Sequence, residues 1–201
     1  MRMGHCSAAV IVAATVFLCT LGAVNAAQDT KPTFKLMSPD LPAGKPIPDT
    51  FMADTFGCHG PNDSPALKWS NAPAGTKSFA ITMFDPYEPP VSGWWHWVVY
   101  DIPATATGLP RNAGKAGSPG MPAGAKQARP DGDAPEPHYY GPCPDEGDPP
   151  HPYTITVYAL SVEHLDVAAT STPANIDYVI SSKTLAKSSI VRPFSRPKKS
   201  S

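Results

Sequence analysis

Tyr153-Thr154-Ile155-Thr156-Val157-Tyr158-Ala159-Leu160 is the stretch on which the fold class turns. Tyr153, Ile155, Val157 and Ala159 alternate with Thr154, Thr156, Tyr158 and Leu160. That is the period of two of a β-strand, carried by β-branched and aromatic residues. Two further runs read the same way. Ser78 to Phe84 sets Phe79, Ile81 and Met83 against Ala80, Thr82 and Phe84. Trp94 to Ile102 sets Trp95, Trp97 and Val99 against His96, Val98 and Tyr100. Phe34–Leu36 and Ala66–Trp69 are shorter strand candidates. Proline supplies 26 of 201 residues, far above ordinary usage, which excludes a helical bundle because Pro removes a donor and clashes inside a helix. One amphipathic helix is expected, over Thr184–Val191, with Leu185, Ser188, Ile190 and Val191 on one face and Pro193 as its stop. The reading is a mostly β domain over 27–192, followed by a basic disordered tail over 193–201.

The net charge is −1 and the charged fraction only 16%, so no basic face is available and no nucleic acid is expected as partner. Residues 1–26 read as an export signal. Arg2 is the basic start, 8–24 the apolar run, and Val24-Asn25-Ala26 the small-residue site for cleavage after Ala26. An uncleaved anchor is the rival reading. The run lies at the short edge of the roughly 17–25 residues that span a bilayer, and no basic stop-transfer cluster follows. A lipid-modified Cys19 is disfavoured by the bulky Phe17-Leu18 before it. A soluble periplasmic or secreted protein with no later membrane segment is expected. Cleavage removes Cys6 and Cys19 and leaves Cys58 and Cys143. In an oxidising compartment an isolated pair is most simply a disulfide, and so long a loop would be worth about 4–5 kcal/mol. Two unpaired thiols are the alternative. No C-x-x-C spacing supports a metal.

Chemistry concentrates at strand ends. Asp85-Pro86 closes one strand, His96 lies at the start of the next and His151 opens the third. The three side chains could converge at one sheet edge, walled by Trp95, Tyr139 and Tyr153. Two imidazoles there suit an anion, with the carboxylate selecting a tautomer. Three satisfied strand-end residues are the plainer reading. A two-His-one-carboxylate metal site lacks the usual i,i+4 or H-x-H spacing, and no G-x-S-x-G elbow supports a nucleophile. No metal, cofactor or catalysis is therefore expected. Between the second and third strands, the Pro/Gly-rich stretch 103–150 has no periodicity, and a loop of that length is functional or disordered.

Several ordered motifs carry a resemblance. They are Gly57-Cys58-His59-Gly60, Asn62-Asp63-Ser64-Pro65-Ala66-Leu67-Lys68-Trp69, Ala72-Pro73-Ala74-Gly75-Thr76-Lys77-Ser78 and Asp85-Pro86. Gly93-Trp94-Trp95-His96-Trp97-Val98-Val99-Tyr100-Asp101-Ile102-Pro103, Tyr139-Tyr140-Gly141-Pro142-Cys143-Pro144 and His151-Pro152-Tyr153 follow, with Tyr158-Ala159-Leu160 completing the set. From about Phe34 to Val191 the chain resembles the phosphatidylethanolamine-binding protein family, in its bacterial Raf-kinase-inhibitor-like branch. The resemblance implies a large antiparallel sheet packed on a smaller sheet with peripheral short helices. It implies a pocket for a small anion, phosphate or a phospholipid headgroup, built from Asp85, His96, Gly141, Pro144, His151 and Tyr153 with Trp95 and Tyr139 as walls. An alternative role is a protein-interaction or inhibitor module acting through the pocket rim and loop 111–150. Two departures stand out. Tyr87-Glu88-Pro89 replaces the family's usual Asp-Ala-Pro after Asp85-Pro86, and Pro152 replaces a usual Arg. The lost acid and lost base compensate one another in this reading.

Overall fold

The computed structural model describes residue 1 and residues 32–87, 93–132 and 134–198. Beyond Met1, the export signal expected over 1–26 lies outside the described residues, as do Glu88, Pro89 and tail residues 199–201. All elements below belong to the unit Pro32–Ser201.

The three alternating runs become the middle of one antiparallel sheet. β3 (Ser78–Asp85), β4 (Trp94–Pro103) and β7 (His151–Leu160) are joined by β6 (Lys126–Gln127) and β8 (Thr184–Phe194) in the order β6-β4-β3-β7-β8. β3 and β7 run in register from Ser78 opposite Leu160 to Phe84 opposite Thr154. A second sheet pairs β1 (Lys35–Met37), β2 (Leu67–Ser70) and β5 (Gly108–Leu109) in the order β1-β2-β5. The main core lies between the two sheets. Leu36, Leu67, Trp69 and Leu109 from the small sheet meet Phe79, Ile81, Met83, Trp97, Ile155 and Val157 from the large one. The far face of the large sheet is apolar too. Ala80, Val98, Tyr100 and Leu160 are covered by Ile176 and Ile180 of α1 (Pro173–Lys183) and by Leu165. With both faces covered, β3 and β7 are buried almost throughout, and apolar side chains occur on both of their faces.

The C-terminal region departs from expectation. Thr184–Val191 is not a helix: it is most of β8, paired with β7 from Leu160 opposite Thr184 to His151 opposite Phe194. Its burial alternates residue by residue, and the 3.6-residue pattern seen in Leu185, Ser188 and Val191 is accidental. Ladder bonds to β7 decide the conformation, and Pro193 is tolerated near the end of this outer strand. The helix lies just before, where Thr172 caps it by accepting from the Asn175 N–H at 3.3 Å and Pro173 occupies its first turn. The expected disordered tail is also partly structured. Phe194 is 3% exposed, and Arg196 donates to the carbonyls of Gly57 (2.9 Å) and Pro144 (3.2 Å) and to Glu146 (2.8 Å).

The long stretch 103–150 is tied to the body of the domain. The Gly114 N–H donates to Ser64 Oγ at 2.8 Å, Ala128 N–H to Val98 O at 3.0 Å, and the Asp131 carboxylate accepts from the Trp95 N–H at 2.8 Å. Cys58 and Cys143 form a disulfide across 85 residues of chain.

Candidate functional site

β4 carries a bulge where chemistry was expected. Met83 pairs with Trp97 and the next residue, Phe84, with Trp95, so His96 is the extra residue. A bulge of this kind re-aims a side chain. Here it brings His96 edge-on to Tyr153, with ring centroids 5.0 Å apart, while Trp97 also faces the main core. Strict alternation is broken at this point. Trp95 therefore shares a face with Val98 and Tyr100, and its ring stacks obliquely on Phe84 at 4.6 Å.

The segment 139–141 lies along the bulge like a short added strand. The Tyr140 N–H donates to His96 O at 2.9 Å, and His96 Nδ1 lies 2.9 Å from Tyr140 O. Asn62 holds the same segment from the other side. Its Nδ2 donates to Tyr139 O (3.2 Å) and its Oδ1 accepts from the Gly141 N–H (2.8 Å). Gly141 is required here because a Cβ would sit 2.1 Å from the Phe51 carbonyl oxygen.

Behind His96 runs a buried chain of polar groups. Asp85 is 0% exposed; its Oδ2 lies 2.7 Å from His151 Nδ1 and its Oδ1 accepts from the Tyr87 N–H at 2.9 Å. The His151 ring stacks on Tyr153 at 6.3 Å, and the exposed Tyr87 ring lies 6.0 Å from His151 on its other side. Pro152 follows His151 in β7, opposite Pro193.

In front of His96 is a cleft of about 230 Å³ lined by Phe56, Trp94, His96, Tyr140, Cys143 and Asp145. Phe56 stands edge-on to Trp94 and tilted against Tyr140. It holds a positive φ of 52°, a backbone state that is costly for a bulky residue and concentrates at functional sites. Two polar atoms of the lining side chains are buried without a hydrogen-bond partner among the described residues, His96 Nε2 and Trp94 Nε1. Burial pushes the His96 pKa down to about 4, against the opposing pull of the Asp85 charge. The ring is therefore neutral at pH 7.

The expected site residues thus divide into three groups. His96 lines the cleft. Asp85, His151 and Tyr153 are brought together with it but stand behind it. Gly141 and the buried Pro144 belong to the loop that forms one wall, the latter fixed through its carbonyl by Arg196. Trp95 and Tyr139 are not brought to the cleft. Tyr139 is a core residue, edge-on to Trp97 and donating to Phe51 O at 3.1 Å. Their sequence neighbours Trp94 and Tyr140 take the wall positions. Phe56 and Asp145 were missed altogether, since neither sits in a periodic segment. Among the described residues no cluster of three metal-ligating side chains forms, and no helix is long and apolar enough to cross a membrane.

The model of the phosphatidylethanolamine-binding protein family matches residues 37–195. The chain belongs to this family. The match runs from the last residue of β1 through β8 and so takes in the large sheet, β2 and β5 of the small one, α1 and every described residue lining the cleft. Among similar family members, the Escherichia coli K12 protein YbcL is 42% identical over 158 residues, covering 78% of this chain and 85% of YbcL. YbhB of the same organism is 40% identical over 161 residues, covering 80% of this chain and 99% of YbhB. The crystal structure of YbcL, described as a new member of the mammalian PEBP family, superposes with a TM-score of 0.76 over 81% of this chain and 98% of that one. The fold expected from the resemblance, a larger antiparallel sheet on a smaller one, is the fold this phosphatidylethanolamine-binding protein family member has.

Proposed function

We propose that this protein is an exported, non-catalytic binding protein whose cleft takes a small oxyanion, a phosphate or a phosphate-bearing headgroup. The observation that carries this is a pair of buried polar atoms without a partner among the described residues, His96 Nε2 and Trp94 Nε1, on two side chains that line one cleft. A buried polar group without a partner costs about 1–3 kcal/mol, and a ligand that supplies both partners recovers that. The buried chain from Asp85 through His151 and Tyr153 supports the His96 ring from behind. The sulfur of the lining Cys143 is held in the disulfide. Family membership supports a ligand-binding role, as the family's name indicates. Export is supported by the disulfide and by LppC of Mycobacterium tuberculosis, 33% identical over 144 residues, whose name marks it as a lipoprotein candidate.

A thermal-shift titration with inorganic phosphate and with phosphorylethanolamine tests the reading. A ligand at a hundred times its dissociation constant adds about 2.7 kcal/mol. We expect a shift in the parent protein, none in His96→Ala, and a reduced one in His151→Ala. No shift in the parent at millimolar ligand overturns the reading.

A further inference from the structure

The hydrogen-bond sense of His96 specifies the ligand's protonation state. A carbonyl oxygen only accepts, so the 2.9 Å contact with Tyr140 O requires the hydrogen on Nδ1. A neutral ring with its hydrogen there presents a bare lone pair at Nε2, the ring atom buried without a partner among the described residues. Trp94 Nε1 offers the complement, a donor with nothing to receive it. The cleft therefore asks its ligand for one donated and one accepted hydrogen bond. Among the described residues that line the cleft none is lysine or arginine, and Asp145 adds a carboxylate.

We propose that the cleft binds a terminal oxyacid in its singly protonated form, a phosphate monoester monoanion, in preference to the phosphodiester of a lipid headgroup. The proposal rests on the oxyanion reading above and narrows it. The monoanion donates its P–O–H to Nε2 and accepts from Trp94 Nε1–H. A dianion or a diester has no acidic hydrogen to give and sets an oxygen lone pair against that of Nε2. No bond is made or broken, and the proton stays on the ligand.

The charged and titratable groups around the ring leave this arrangement in place. Asp85 at the end of β3 faces His151 of β7, which also lies 3.7 Å from Asp148. Tyr153 of β7 stands edge-on to the His96 ring, and Tyr140 and Asp145 belong to the wall segment. With its pKa near 4, the free ring stays neutral from pH 5.5 to 8.5. Across that range the His96 ring neither gains nor loses a proton, whereas a phosphate monoester loses one with a pKa of about 6.

Titration calorimetry on the full protein from pH 5.5 to 8.5 tests this, using phosphorylethanolamine as monoester and glycerophosphorylethanolamine as diester. The monoester's affinity should fall about tenfold per pH unit above its second pKa of about 6, and at pH 6 the diester should bind at least tenfold more weakly. In His96→Gln, whose amide can both donate and accept, the monoester's pH dependence should flatten while the folded state persists by circular dichroism. A purely structural role for His96 would weaken binding equally at every pH. Equal binding of both esters, or a flat monoester profile in the parent protein, overturns the inference and leaves the oxyanion reading standing. Absence of binding in every arm overturns both.

Discussion

His96 is the residue through which acid should act on this protein. Its pKa is about 4 in the folded state and 6.5 for an unperturbed imidazole, so the unfolded chain binds more protons between those values. Stability rises with pH wherever the unfolded state holds the extra protons. The contribution is therefore complete above about pH 6.5 and is lost progressively as pH falls toward 4. The loss is on the order of 3 kcal/mol, from the 1.36 kcal/mol that each pKa unit represents. Denaturant titrations from pH 7 to pH 4 should show it. In His96→Gln the slope across this window should be shallower, because no imidazole is left to titrate. An equal slope in both proteins would place the acid sensitivity elsewhere.

At the scale of elements, the C-terminal strand ties the site together. β8 covers the outer edge of β7, the strand that carries His151 and Tyr153. Just beyond it, Arg196 bridges the two loops joined by the disulfide, binding Gly57 on one and Pro144 and Glu146 on the other. Ending the chain after Arg192, where sequence alone draws the domain boundary, removes Phe194 from the core and Arg196 from the loops. Deleting a buried Phe side chain costs about 3–5 kcal/mol. Hydrogen bonds to a charged group add about 1.5–3 kcal/mol. At 2–4 °C per kcal/mol for a domain of this size, the melting temperature should fall by at least about 10 °C. A chain ended after Lys198 should melt with the full protein. Equal melting of the two truncations would mean that this segment does no stabilising work.

At the scale of the molecule, the Cys58–Cys143 disulfide closes 85 residues between loops that flank β2 to β6 along the chain. The chain-entropy argument assigns such a closure about 4–5 kcal/mol. Replacing both cysteines by serine should therefore lower the melting temperature by roughly 10–20 °C. Reductant should do the same to the parent protein and nothing further to the variant. Because Cys143 lines the cleft, ligand affinity should weaken along with stability. The sequence by itself determined the β class, the three central strands, the family and the grouping of Asp85, His96, His151 and Tyr153. Those follow from local alternation and from motifs that a linear reading contains. Tertiary structure decided the rest. Pairing with β7 turned an apparent helix at 184–191 into a strand, although the Thr172-Pro173 cap of the true helix was legible. One bulge residue, His96, shifted the strand's faces and moved the wall from Trp95 to Trp94, because alternation assumes an unbroken ladder. Tyr140 rather than Tyr139 faces the cleft because a segment without periodicity takes its orientation from its partners, here Asn62 and the His96 backbone. Burial alone made His96 neutral, and burial is a property of the folded chain.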